Sequence, residues 1–375
     1  MPTTPRATPI DGEKLEDITG FCLSGGGYRA MLFHAGAIFR MNELGLLKKL
    51  NRVSSVSGGS MTAAALALAY PKFQYDAKNV VTNLKETFLK PILDQANDSI
   101  DVNSAFGGIN PFSSAAREAG KSYDKNITKG AKLAQVTANP TFVFNATSLM
   151  TGAVMRFRSD YVADYHIGTL KGLNIPLSEV VAASAGFPPV LSPTVIDLSS
   201  ATGDPATKGP LARLPFTKTA VLTDGGVYDN LGSETVWKRC RTILVSNAGK
   251  PFGFEDEPHH NWLQQSLRII DIVMDQAENL RERILAHAYE IGARHGAMWG
   301  LTSGLNDPSE RPPMLTPAEF DAAQAVPTRL TQFSKSDQAL MLKAGYAHTA
   351  TRIRKYWTPA TGGPEDIKDG TPPAP

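Results

Sequence analysis

Short apolar runs alternate with longer stretches whose apolar residues recur three and four apart, the pattern of strands alternating with helices. Residues 18–23 read as a strand, 28–50 as a helix, 52–57 as a second strand and 61–69 as an alanine-rich helix. Residues 76–95 keep helical spacing through Val80, Leu84, Phe88 and Ile92, with Pro91 expected to kink or end the helix. Residues 141–148 form the next strand, with 155–158 as its hairpin partner, and 177–184 a short helix broken by the segment from Ala185 to Val190. Residues 197–215, rich in Gly, Pro and Ser, read as a surface loop. A strand at 220–222 then runs into Thr223-Asp224-Gly225-Gly226-Val227-Tyr228-Asp229-Asn230, followed by a helix at 231–238 and a strand at 241–246. Within 260–292 lies a long amphipathic helix, expected to cover the sheet in preference to binding a membrane. This pattern predicts one α/β domain over 18–357, after a flexible lead-in at 1–17. An excursion at 97–139 is expected to lie over the active-site face, and a disordered tail at 358–375.

Composition narrows the partners. With 38 Lys and Arg against 36 Asp and Glu, the net charge of +2 argues against nucleic acid. Cys22 and Cys240 read as buried free thiols, which suits a reducing, cytoplasmic setting. No apolar run approaches the roughly 18 residues of a bilayer span, and the first residues carry no Sec-type apolar core.

The chemistry lies where strands meet helices. Gly25, Gly26 and Gly27 end the first strand and can turn backbone N–H groups toward an anion at a helix N-terminus. Ser57 ends the second strand in Ser57-Gly58-Gly59-Ser60, where a sharp turn exposes its hydroxyl and Gly59 removes a Cβ that would collide with neighbouring backbone. A parallel βαβ unit brings the two turns together, an oxyanion site beside a nucleophile. The match of Gly25-x-Gly27-x-x-Ala30 to a dinucleotide fingerprint lacks the acidic residue at the end of the second strand. Val56 and Ser57 stand there, and the nearest carboxylate is Glu43.

Serine needs a base. None of the seven histidines follows an apolar strand, whereas Asp224 does and precedes Gly225 and Gly226, which would supply N–H donors and room. Asp229 and Asn230 read as helix-capping residues, with Asn230 steadying the Asp224 loop.

With these motifs the chain resembles the patatin-like phospholipases. The resemblance rests on Gly25-Gly26-Gly27-Tyr28-Arg29 as oxyanion block, Val56-Ser57-Gly58-Gly59-Ser60 as nucleophile block, Asp224-Gly225-Gly226 as base block, and the small-residue and proline segment Ala182-Ala183-Ser184-Ala185-Gly186-Phe187-Pro188-Pro189. It implies a three-layer α/β/α fold with a central, mostly parallel sheet. It also implies a Ser57–Asp224 dyad without metal or other cofactor, and fatty acyl esters of phospholipids or other lipids as substrates. The amides of Gly26 and Gly27 would hold the oxyanion, Arg29 would add positive charge nearby, and contact with a lipid surface would be peripheral. The chain departs from the family's pattern at Ser55, where glycine is common. Phe106, Ile109 and Phe112 are expected to line the acyl channel. Two alternatives stay open: a Ser-His-Asp esterase of the α/β-hydrolase type using His287, His295 or His348, and a non-catalytic or nucleotide-binding module.

Overall fold

The computed structural model describes residues 15–100, 111–189, 191–258 and 260–375. Its strands are β1 (Glu16–Leu23), β2 (Leu50–Ser55), β3 (Thr141–Ser148), β4 (Val154–Phe157), β5 (Val162–Asp164), β6 (Gly168–Lys171), β7 (Thr194–Asp197), β8 (Thr202–Gly203), β9 (Thr219–Asp224), β10 (Cys240–Asn247) and β11 (His295–Gly300). They form one mixed sheet. Its centre runs β11-β10-β1-β2-β3, all parallel, with Phe21 of β1 in register with Leu244 on one side and Val53 on the other. An antiparallel wing continues β3-β4-β5-β6-β8, and β9 pairs antiparallel with both β3 and β7.

The helices are α1 (Gly27–Glu43), α2 (Gly58–Ala69), α3 (Lys90–Ala96), α4 (Pro111–Tyr123), α5 (Leu177–Ser184), α6 (Gly226–Asp229), α7 (Glu234–Trp237), α8 (Trp262–Glu290), α9 (Pro317–Ala325) and α10 (Lys335–Tyr356). Alternate residues of the central strands enter two separate cores. Phe21, Leu23 and Leu244 join the large core, while Cys22, Ile243 and Val245 join a smaller one with Leu285. The sheet is thus covered on both faces, the arrangement that near-continuous apolar strands require. Among the described residues no helix is long and apolar enough to cross a membrane.

Several boundaries differ from the sequence pattern for identifiable reasons. The helix expected over 28–50 ends at Glu43, because Gly45 takes a φ of +65° and turns the chain. In the 76–95 stretch helical backbone begins only at Leu84, ahead of a π turn, Lys85–Leu89, that runs straight into α3, so the helix continues through Pro91 with a π turn just before it. The region of the expected excursion instead places Ala115, Ala119 and Tyr123 of α4 in the main core; Phe106 and Ile109 lie outside the described residues, and Phe112 falls at the start of α4. The tail expected to be disordered is tied down. Asp369 pairs with Arg40 (2.9 Å) and Arg354 (2.8 Å), and the Gly370 amide donates to the Tyr346 hydroxyl (2.7 Å).

α8 is the largest departure. It is a helix of 29 residues as the pattern predicts, but Leu285 and Ala288 alone of its residues are buried. It therefore does not cover the sheet with its apolar face.

Candidate active site

Parallel strands deliver their C-terminal ends to one edge, and the three motifs meet there. Leu23 and Ser55 are Cα partners at the ends of β1 and β2, and Ala146 of β3 is the partner of Asp224 on β9. β9 is antiparallel to β3, so only its last residue reaches this edge.

Ser57 sits between β2 and α2 with φ 50° and ψ −121°. That is a strained conformation for a residue with a Cβ, costing of order 1–3 kcal/mol, and neighbouring bonds must hold it. They do. The Ser57 amide donates to the Ser184 carbonyl (3.2 Å) and hydroxyl (3.1 Å), while the Gly59 amide donates to the carbonyls of Val56 (2.8 Å) and Ser24 (3.1 Å). A Cβ on Gly59 would stand 2.3 Å from the Leu23 carbonyl oxygen, and one on Gly58 2.1 Å from that of Gly27. The glycines therefore let the two turns touch. A serine at a helix N-cap commonly turns its hydroxyl back onto the helix amides; Ser57 makes no such bond. Its hydroxyl instead lies close enough to the Asp224 carboxylate to lower that carboxyl's proton affinity, although no direct hydrogen bond joins the two.

Asp224 is buried, its Oδ1 accepting from the Gly226 amide (2.7 Å). Burial pushes its carboxyl up to about 6, opposed by that amide and by the Ser57 hydroxyl. The loop is fixed from below: the Asp224 amide donates to the Gly186 carbonyl (2.9 Å), the Gly225 amide to that of Ser184 (3.1 Å), and the Thr147 hydroxyl to the Asp224 carbonyl (2.8 Å). Gly225 gives room for the Asn145 carbonyl, 2.3 Å from where its Cβ would be.

On the other side lies the glycine turn. Gly26 and Gly27 have φ of +133° and +59°, and no side chain caps α1. The Gly25 amide is taken by the Asn230 carbonyl (3.1 Å). Among the described residues the amides of Gly26, Gly27 and Gly58 are given no protein acceptor. These are the donors available to an anion beside Ser57. Arg29 points away from solvent, its guanidinium donating to the carbonyls of Ala248 (2.7 Å) and Val326 (3.2 Å), and burial lowers it to about 10. Its charge stands behind the turn: a Cβ on Gly26 would lie 3.3 Å from Nη2.

Further groups support the three motifs. Ser184 accepts from the Ser57 amide, donates to the Asn145 carbonyl (2.6 Å) and bonds Ser60 (2.8 Å), which in turn bonds Ser55 (2.9 Å). Serine where the family commonly has glycine thus finds a partner inside this network. Asn145, the one side-chain amide in β3, donates to the Ser55 carbonyl (2.9 Å). Asn230 stands between the glycine turn and the base loop: its Oδ1 occupies the space that Cβ atoms on Gly25 and Gly226 would need (2.4 and 2.7 Å), and its amide donates to Glu278 of α8 (2.7 Å). Asp229 accepts from the Glu234 amide (2.8 Å) ahead of α7.

His34 is a further support. Its Nε2 donates to the Ser24 carbonyl (2.9 Å), which fixes Nδ1 as acceptor from the Ser246 hydroxyl (2.8 Å); burial lowers its proton affinity to about 4. The same Ser24 carbonyl accepts from Gly59, so His34 ties the glycine turn to the nucleophile turn.

No histidine among the described residues bonds Ser57. His287 is exposed beside Glu290, and His295 opens β11 at the edge of the parallel sheet opposite Ser57. His348 lies between the rings of Phe33 and Phe320 with neither nitrogen bonded; His259 lies outside the described residues. Glu43, the nearest carboxylate for a nucleotide reading, is held by Arg40 (2.7 Å) and Tyr346 at the far end of α1.

The chain is similar to human GIVD cytosolic phospholipase A2, at 12% identity and a TM-score of 0.47 over 89% of this chain and 61% of that one. It is also similar to VipD from Legionella pneumophila, at 14% identity and a TM-score of 0.36 over 92% and 68%. In sequence it is 30% identical over 89 residues to a Saccharomyces cerevisiae protein described as a meiotic phospholipase, a match covering 18% of this chain and 14% of that protein. The model of the patatin-like phospholipase family matches residues 21–237, more than half of the chain and all three motifs. The chain belongs to the patatin-like phospholipase family.

Proposed function

We propose that the chain is a lipid acyl hydrolase working through Ser57 and Asp224. The observation that carries this reading is the placement of Ser57, on its strained turn, beside the buried Asp224, with the Ser57 and Gly225 amides sharing the Ser184 carbonyl and neighbouring amides lacking a protein acceptor. Asp224 takes the Ser57 proton as Oγ attacks the carbonyl carbon of a fatty acyl ester. The amides of Gly26 and Gly27 hold the oxyanion, with the positive end of α1 and the charge of Arg29 behind them. When the tetrahedral adduct collapses, the alcohol leaves with the proton from Asp224 and the acyl group stays on Ser57. Water, deprotonated by the same carboxylate, then releases the fatty acid. Asp224 suits both steps, since burial raises its proton affinity while the Gly226 amide keeps an ionised form accessible near neutral pH. The two buried thiols support a reducing, cytoplasmic setting.

Purified wild type, Ser57→Ala and Asp224→Asn should be compared on a soluble p-nitrophenyl ester and on phosphatidylcholine. The proposal expects both variants to lose activity by about a thousandfold or more with folding intact. Full activity in Ser57→Ala would overturn it.

A further inference from the structure

α8 is turned inside out. Its polar side chains face the protein: Glu278 accepts from Asn230 and Asn247 (2.7 and 2.6 Å), Glu282 from Asn247 (2.8 Å), and Arg281 stands 3.4 Å from Asp229. Leu285 and Ala288 near its C-terminus are buried, but a row of its apolar side chains faces out. Trp262, Ile269, Ile272, Val273, Leu280 and Ile284 are all exposed, Trp262 by 77% and Val273 by 59%. At 100° per residue these six lie within about 60° of one line along the helix. Between residues 262 and 284 the exposed positions carry only two charges, Asp271 and Arg283, which cancel.

The six exposed side chains, with the polar Gln265, Ser266 and Gln276 between them, form a larger apolar surface than the singly scattered residues of an ordinary monomer surface. A single helix packed on its twin covers only part of such a stripe, short of the ~800 Å² per partner of a stable protein interface. A lipid surface needs no complementary shape and accepts the whole face, and the balance of charge fits one without net charge. Trp262 at one end matches the preference of indole for the boundary between water and hydrocarbon. The inner face of the same helix holds the site, with Asn230 on Glu278 and the Met274 methyl 3.3 Å from where a Gly226 Cβ would be. Docking surface and base loop are therefore two sides of one element.

We propose that the outward face of α8 seats the protein on an electrically neutral lipid surface, its apolar stripe lying among the head groups. The proposal rests on the acyl-hydrolase reading for its purpose, and its test is separate from that reading. The full chain carrying Ser57→Ala is sedimented with phosphatidylcholine vesicles at low and high salt, with and without the pair Val273→Asp and Leu280→Asp. Binding should occur, change less than about twofold with salt, and fall about tenfold or more in the paired variant. With Ser57 restored, the paired variant should cleave a soluble p-nitrophenyl ester at the wild-type rate but lose cleavage of vesicle lipid. Equal sedimentation of the two proteins, no sedimentation of either, or a dimer in light scattering that the paired variant dissolves would each overturn the docking face. Vesicle binding by a chain that cleaves no soluble ester would overturn the hydrolase reading and leave the docking face standing.

Discussion

Ser57 and Asp224 are both held in costly states, one in backbone conformation and the other in solvation. In the proposed mechanism the carboxylate is the active form, so activity should rise with pH through about 6 and level off above it, measured as kcat/KM on a soluble ester. The stability effect has the opposite sign. A carboxyl whose folded affinity lies above its unfolded value near 3.8 stabilises the fold below that value, and this contribution is lost as pH rises through 6. At pH 7.5, where the wild type carries an ionised, buried carboxylate, Asp224→Asn should therefore unfold at higher urea, by about 1–3 kcal/mol. The most stable variant would then be an inactive one.

His34 acts through the Ser24 carbonyl, so it is a positioning residue. His34→Phe should lower kcat about tenfold or more with KM little changed, and His34→Gln, which keeps a donor at similar reach, should recover part of it. Equal rates in all three would mean that the imidazole only fills space.

At the scale of elements, both glycine turns, the base loop and the central strands were legible because each carries a local signal: a run of apolar residues, glycines without a Cβ, a polar residue at the strand end. Helix α5 matches its pattern at both ends. What was not legible depends on contacts distant in sequence. β4 was legible as the hairpin partner of β3, but β5 and β6 beyond it reveal themselves only by pairing. α10 packs along α1, yet its sequence is rich in Ala, Gly and Thr with polar residues between, so its buried side has no strong apolar period. Close approach explains the small residues. A Cβ on Gly36 of α1 would stand 2.0 Å from the Leu342 carbonyl oxygen, and one on Gly345 of α10 1.8 Å from that of Phe33. Backbone cannot yield as a flexible side chain can, so Gly36→Ala should force the helices apart at a cost of about 1–3 kcal/mol in urea unfolding. The site's supporting groups were illegible for a related reason. Ser184, Asn145 and His34 gain their roles only when α5, β3 and α1 are brought around Ser57.

For the molecule as a whole, acid should be more damaging than base. His34 and His348 are buried and held near 4 and near 3, below the ordinary value of 6.5. The unfolded chain takes up these protons first, so the stability they contribute is present above pH 6.5 and is lost as pH falls toward 4. His348, with neither nitrogen bonded, offers the cleaner test: His348→Leu should shallow the fall of Tm between pH 6.5 and 4. The ordered C-terminal tail belongs to the same scale. Arg40 is nearly sealed from solvent and shares its charge between Glu43 and Asp369, so removing residues 364–375 should cost about 1–3 kcal/mol.

The central claim is that a buried aspartate activates a serine on the neighbouring turn. Covalent labelling by a fluorophosphonate, with the modified peptide identified by mass, tests it most directly in wild type and in Asp224→Asn. The label should fall on Ser57, its rate should rise with pH through about 6, and Asp224→Asn should slow it by a hundredfold or more. Label on Ser57 at the same rate in both proteins would contradict the claim and place the base elsewhere.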